Sequence, residues 1–171
     1  ISTQQQLNEF EQTNINEALK WLNTKRKINE VLSEQFLIQV HKRMLGMVWK
    51  WAGNFRVTET NIGIEWTKIP IELRLLIDDA KYWVEHQTYD PEQIAIRFKH
   101  RLVSIHCFPN GNGRHSRIMA DLIAKHVFEL EKFSWGQSSL LASSEQRKLY
   151  LKALQKADMG DYDALLEFAR S

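Results

Sequence analysis

The 171-residue chain predicts an all-α domain carrying one short β-hairpin. Three observations predict it. Apolar residues recur at helical spacing through most of the chain. No repeat, low-complexity stretch or Pro/Gly-rich linker divides residues 1–171, which read as a single domain. One stretch only, RVTETNIGIEWTKIP, departs from the helical pattern.

The elements follow in order. Residues 7–22 predict a helix with Leu7, Phe10, Asn14, Ala18, Trp21 and Leu22 near one face. Ser33 reads as the N-cap of a second helix reaching about Trp49, with Phe36, Leu37, Val40, Met44, Leu45 and Val48 inward. WAGNFR breaks that pattern. β-branched residues and an Asn-Ile-Gly turn signal then predict a hairpin or extended flap over about 57–69. Pro70 opens a helix to about His86. Asp90-Pro91-Glu92-Gln93 has the form of a capping box, and Ile94, Phe98, Leu102 and Ile105 make the following helix central. A further helix starts at Asn112 or Gly113 and runs to Glu129. Ser143-x-x-Gln146 reads as another capping box, for a helix to Lys156, and Asp161 caps a last helix to Arg170.

Composition narrows the function. Lys and Arg number 23 against 21 Asp and Glu, a net charge of +2, so no nucleic-acid partner is expected. One cysteine, Cys107, excludes an internal disulfide framework and a cysteine zinc site. No apolar run approaches the roughly 18 residues of a membrane span. The polar start, ISTQQQLNEF, has no signal-peptide core, so a cytoplasmic location is expected, and a first residue other than Met suggests processing.

Chemistry concentrates in His106–Arg117, HCFPNGNGRHSR. One helix ends at His106, a short loop turns the chain, and the next helix begins within GNGR. Free N–H groups at a helix start, with glycines allowing close approach, form an anion cradle. Arg114 and Arg117, three apart, can fork onto phosphate oxygens, and Asn112 adds an amide donor. His106 beside the cradle is a candidate general base. No GK[ST] follows, so this is not a P-loop, and the preceding helix excludes a Rossmann turn. These residues point to phosphoryl or nucleotidyl transfer. Phe108 reads as the loop's anchor in the core, and Tyr150 as a core residue with a tethered hydroxyl. The other histidines share no metal spacing. Lys25-Arg26-Lys27 reads as a solvated helix end, and Trp66 as packing the flap down.

HCFPNGNGRHSR resembles the Fic family motif HxFx(D/E)GNGRxxR, and the resemblance extends through VWKWAGNFR, NIGIEWTKIP and YLKALQKADMGDYDALLEFA. Within the family the chain is most similar to the small bacterial proteins called mobile mystery protein B. The resemblance implies an all-α Fic-like helical bundle with a flap, and transfer of AMP from ATP, with magnesium or manganese, to a Tyr, Thr or Ser hydroxyl of a target protein. Relatives that move UMP, phosphate or phosphocholine leave the transferred group open. His106 would deprotonate the acceptor. Gly111, Asn112 and Gly113 would line the anion hole, Arg114 and Arg117 would hold the outer phosphates, and the flap would clamp the target as an added strand. Where the family has a metal-binding Asp or Glu, this chain has Asn110, a neutral and weaker ligand for a hard cation. A catalytically weak nucleotide- or partner-binding protein is the reading that departure favours. Many relatives carry an inhibitory helix, (S/T)xxxE(G/N), whose Glu pairs with the motif's last arginine. Thr13 to Ala18 matches its spacing, which makes Glu17 the inhibitory candidate facing Arg117. Similar bacterial proteins act as toxins or regulators encoded beside a small partner, so an antitoxin-like partner is also an expectation.

Overall fold

The computed structural model describes residues 3–171. Among these, eight helices follow one another: α1 (Gln4–Leu22), α2 (Ile28–Val31), α3 (Glu34–Leu45), α4 (Ile69–His86), α5 (Pro91–Ile105), α6 (Asn112–Phe128), α7 (Ser143–Asp158) and α8 (Asp163–Arg170). The all-α reading holds. Helix α5 is central, packed against α4, α6 and α8, while α1 lies on α3 and α7 on α8. Its apolar stripe explains the position, because Ile94, Ala95, Phe98, Leu102 and Ile105 are all buried. No helix among the described residues is long and apolar enough to cross a membrane.

Caps decide where several helices begin. Ser33 accepts from the Phe36 N–H at 3.1 Å, as its sequence position predicts, and α3 then stops at Leu45, before Gly46. The box at Ser143 does not form. Ser143 is already inside α7, Ala142 is the N-cap, and no side chain caps it. Gln146 instead donates to the Leu141 carbonyl at 2.8 Å. Asp90 likewise makes no side-chain cap, although Pro91 occupies the first turn. Asp161 accepts from the Asp163 N–H at 3.2 Å, one residue before the N-cap Tyr162.

The predicted hairpin is not present. Residues 57–65 run without a strand and lead into a 3-10 turn at Trp66–Lys68. The reason lies in one side chain. Arg56 is buried, and its guanidinium takes the carbonyls that a partner strand would have taken: those of Thr58 (2.9 Å), Ile64, Ile105 (3.3 Å) and His106. Trp66 is also not packed down, being 38% exposed. Arg26, expected in a solvated helix end, lies over the Trp21 ring at 3.9 Å and pairs with Glu30.

The two serine caps give opposite expectations. Ser33→Ala loses the bond to Phe36 and costs about 1 kcal/mol, whereas Ser143→Ala changes stability by less than about 0.5 kcal/mol. Urea unfolding of the two variants compares them directly.

Candidate active site

The α5–α6 junction is largely buried, with Cys107, Phe108, Gly111 and Asn112 out of solvent and Pro109 and Asn110 exposed, so most of its backbone must be satisfied from within the protein. Phe108 is fully buried and holds the turn in the core, as its sequence position suggests. Its backbone N–H donates to Asn112 Oδ1 at 3.0 Å, and Asn112 Nδ2 donates to its carbonyl at 2.8 Å. That adds a structural role to a residue the sequence reads as a donor. The Asn112 amide braces the loop through its oxygen and one of its two N–H groups, so the residue is first a structural clamp; its backbone N–H also lies at the start of α6.

A residue the sequence did not single out supports the loop from below. His41, fully buried on α3, stacks on Phe108 with ring centroids 3.7 Å apart. Its Nδ1 accepts from the Gly53 N–H at 2.9 Å, so its Nε2 carries the proton and donates to the Asn110 carbonyl at 3.0 Å. His41 therefore ties the WAG turn to the motif. Its neutral state is enforced by burial, which lowers its pKa to about 4. His115 stands edge-on to Phe108, bonds to the Leu37 carbonyl at 2.9 Å, and is lowered by burial to about 3.

His106 adopts a left-handed conformation, φ 58°, at the end of α5. Burial first, and the Arg56 charge second, lower its pKa. At neutral pH it is an uncharged imidazole able to accept a proton. Its Nδ1 is buried without a hydrogen-bond partner. The flap presses against it at Gly63, φ 101°, where a Cβ would come within 2.6 Å of His106 Cβ.

Beyond the loop, Gly111 at φ 79° is the N-cap of α6, and no side chain caps the helix. A Cβ at Gly111 would meet Leu45 at 2.7 Å, whereas one at Gly113 would meet nothing within 4 Å. Open space over an uncapped helix start suits an anion. Arg114 is 42% exposed on its side chain. Arg117 is half-buried, its Nε without a partner, and its guanidinium lies 4.4 Å from the Tyr150 ring centre.

Glu17 does not reach Arg117. It is exposed on the outer side of α1 and pairs with Lys20 at 3.0 Å. The first-helix carboxylate that reaches the motif is the buried Glu11, which accepts from Trp49 Nε1 at 3.0 Å and lies 3.5 Å from Arg114 Nη2. Asn110 Oδ1 accepts from the Gly111 N–H at 2.8 Å. A dication would find one neutral oxygen there, already engaged, and among the described residues no three His, Cys, Asp or Glu side chains cluster. The protein's own groups do not fit a resident metal.

The buried histidines set the acid sensitivity of this scaffold. Unfolded, His41 and His115 titrate near 6.5; folded, near 4 and 3. The unfolded chain binds more protons below pH 6.5, so their contribution is fully present above that pH. It is lost as pH falls toward 4 and 3, at up to about 1.4 kcal/mol per pH unit for each. Unfolding free energies at pH 7.5 and pH 5 are expected to differ accordingly.

Three comparisons bear on this site. The family model for the Fic/DOC family matches residues 31–124. The chain is 26% identical over 156 residues to a protein adenylyltransferase Fic of Aedes aegypti and 28% identical over 157 residues to that of Drosophila melanogaster, covering 88% of this chain in both cases. It spans about 30% of the length of these relatives. Among solved structures, Fic-1 (residues 134–508) of C. elegans superposes with a TM-score of 0.69 at 23% identity, over 92% of this chain and 46% of that one. The N-terminal FIC domain of Bep8 from Bartonella sp. 1-1C gives 0.75 at 15% identity, over 100% and 88%. BepC of Bartonella tribocorum, solved with bound AMPPNP, gives 0.68 at 16% identity, over 99% and 87%. These likenesses establish a shared fold. With more than half of its residues inside the family match, the chain belongs to the Fic/DOC family.

Proposed function

We propose that the protein transfers AMP from ATP to a Tyr, Thr or Ser hydroxyl of a target protein. One observation carries the reading: a neutral histidine and an open, uncapped helix start with two arginines end on the same buried turn. Relatives at 26–28% identity named as protein adenylyltransferases, and a structural relative solved with AMPPNP, support the nucleotide.

Each residue then has a task. His106 removes the acceptor's proton as its oxygen attacks the α-phosphorus, and pyrophosphate leaves. Backbone N–H groups at the start of α6 receive the developing phosphate charge. Arg114 and Arg117 hold the outer phosphates, for which Arg114 must separate from Glu11. The flap, held by Arg56, places an incoming segment beside His106. A metal that accompanied the nucleotide would find only the neutral Asn110 Oδ1 from this loop, so it would have to come with the substrate and would supply charge neutralisation there.

Asn110 favours a second reading, a nucleotide-binding protein with little turnover. One assay separates the two. Protein and lysate are incubated with α-labelled ATP and either metal, beside His106→Ala. Label on a protein that disappears in the variant supports transfer. Bound ATP with no label in either lane supports the second reading. Where transfer occurs, its acid limb lies below the ordinary histidine value of 6.5, because His106 becomes protonated only under more acidic conditions.

Gly63→Ala tests the flap. A Cβ there displaces the flap from His106 and Arg56 and strains a positive φ. The transfer rate is expected to fall at least about tenfold, with ATP affinity measured by calorimetry unchanged.

A further inference from the structure

Lys99 is a lysine in the most buried helix of the protein, with no exposed surface. Buried lysines are rare unless paired. Its ammonium has one hydrogen-bond partner, the Tyr150 hydroxyl on α7. That tyrosine ring lies 4.7 Å from Lys99 Nζ and 4.4 Å from Arg117 Cζ. One aromatic ring is thus shared by two cations, and Phe168 of α8 packs on it.

Nothing negative balances them. Among the described residues no carboxylate pairs with Lys99 or Arg117. Charged groups on the surrounding elements are committed elsewhere: Arg101 of α5 to Asp79 of α4, Arg170 of α8 to Glu92, and Arg97 over Tyr89 and Tyr162. Asp121, one turn beyond Arg117, accepts from the Phe133 N–H and Trp135 Nε1. Burial, and then the Arg117 charge, bring the Lys99 pKa down to about 7. The Tyr150 hydroxyl is held in its neutral form by burial. An anion against Arg117 would cancel the one charge that repels a proton from Lys99.

We propose that Lys99 is a positioning residue for the nucleotide: acting through Tyr150, it supplies a second cation behind Arg117 and takes up a proton from solvent when the anionic end of the nucleotide binds. This rests on the nucleotide reading above. It adds a group outside the motif, and it makes binding proton-linked near neutral pH.

The test is calorimetry of the full chain with a triphosphate analogue carrying a non-hydrolysable α,β bridge, with magnesium. Titrations run between pH 7.5 and 9, where phosphate's own second ionisation, near 6, no longer contributes. Buffers of different ionisation enthalpy report the protons taken up. Wild-type protein is expected to take up about half a proton or more per nucleotide, and its affinity to weaken by up to about tenfold per pH unit. Lys99→Met loses both the uptake and the slope. Lys99→Arg, which cannot lose its charge, keeps the affinity without the slope. A nitrogen-15 titration of the Lys99 amine in unaltered protein reads the same event without a variant, as a midpoint that moves up with nucleotide. Equal uptake in wild type and Lys99→Met, or a midpoint that does not move, overturns the proposal while leaving nucleotide binding intact. No binding by wild-type protein overturns the nucleotide reading, and this inference with it.

Discussion

Everything at the site depends on a turn that is buried. Between the end of α5 and the start of α6 the chain reverses in six residues, with Cys107, Phe108, Gly111 and Asn112 out of solvent. Water cannot satisfy the backbone at those four residues, so side chains must. Asn112 closes the turn on itself, His41 holds the Asn110 carbonyl from below, and Arg56 takes the carbonyls on the His106 side. The result is a braced frame that carries both His106 and the start of α6. A site that works by placement needs such a frame more than it needs many reactive groups.

The same groups explain why the flap is not a sheet. A hairpin satisfies its backbone by pairing strands. Here one buried guanidinium collects four carbonyls from the flap and the α5 end. Among the described residues, the backbone bond from the flap tip to α5 is a long one, Ile64 N–H to the Ile105 carbonyl at 3.4 Å. The flap's backbone edge stays available for an incoming segment, and its position against His106 is set from the side by Arg56. Trp66, left 38% exposed, is consistent with a surface not closed by the chain itself.

The sequence carried the helices well, because their signals are local. Periodicity placed α1, α4, α5 and α6 to within about three residues, and Pro70 and Pro91 marked two starts. The motif was legible for the same reason: twelve contiguous residues hold His106, the start of α6 and both arginines. What failed depended on which face a residue occupies or which distant group it meets. Glu17 matched a spacing, but six residues separate it from Glu11, which turns it about 120° around the helix. Glu11 begins the inward row with Asn14, Ile15, Ala18 and Leu22, so its burial could have been read from that stripe. Lys99 was open to the same reading, as a lysine between Phe98 and Leu102 on an apolar face. Arg56 and His41 gave no such signal, since the motif carbonyls they hold, those of His106 and Asn110, lie 50 and 69 residues away.

Charge balance ties these findings together. Arg56, Lys99, Arg114 and Arg117 surround the turn, and against them, among the described residues, stand two carboxylates, Glu11 at 3.5 Å from Arg114 and the exposed Glu59 at 3.9 Å from Arg56. Such an assembly disfavours the empty state, since like charges in a half-buried region repel with little screening. An anionic occupant removes that cost and gains the uncapped start of α6 as well. An amide at position 110 fits the same logic. A carboxylate there would add a negative charge at the mouth of the cradle, which a dication would then have to offset. With Asn110 neutral, an anionic occupant would face the protein's own cations directly. On the proposed reading, the neutral amide at Asn110 and the uncompensated lysine at Lys99 would act in the same direction: both would shift the work of neutralising the anion from metal to protein.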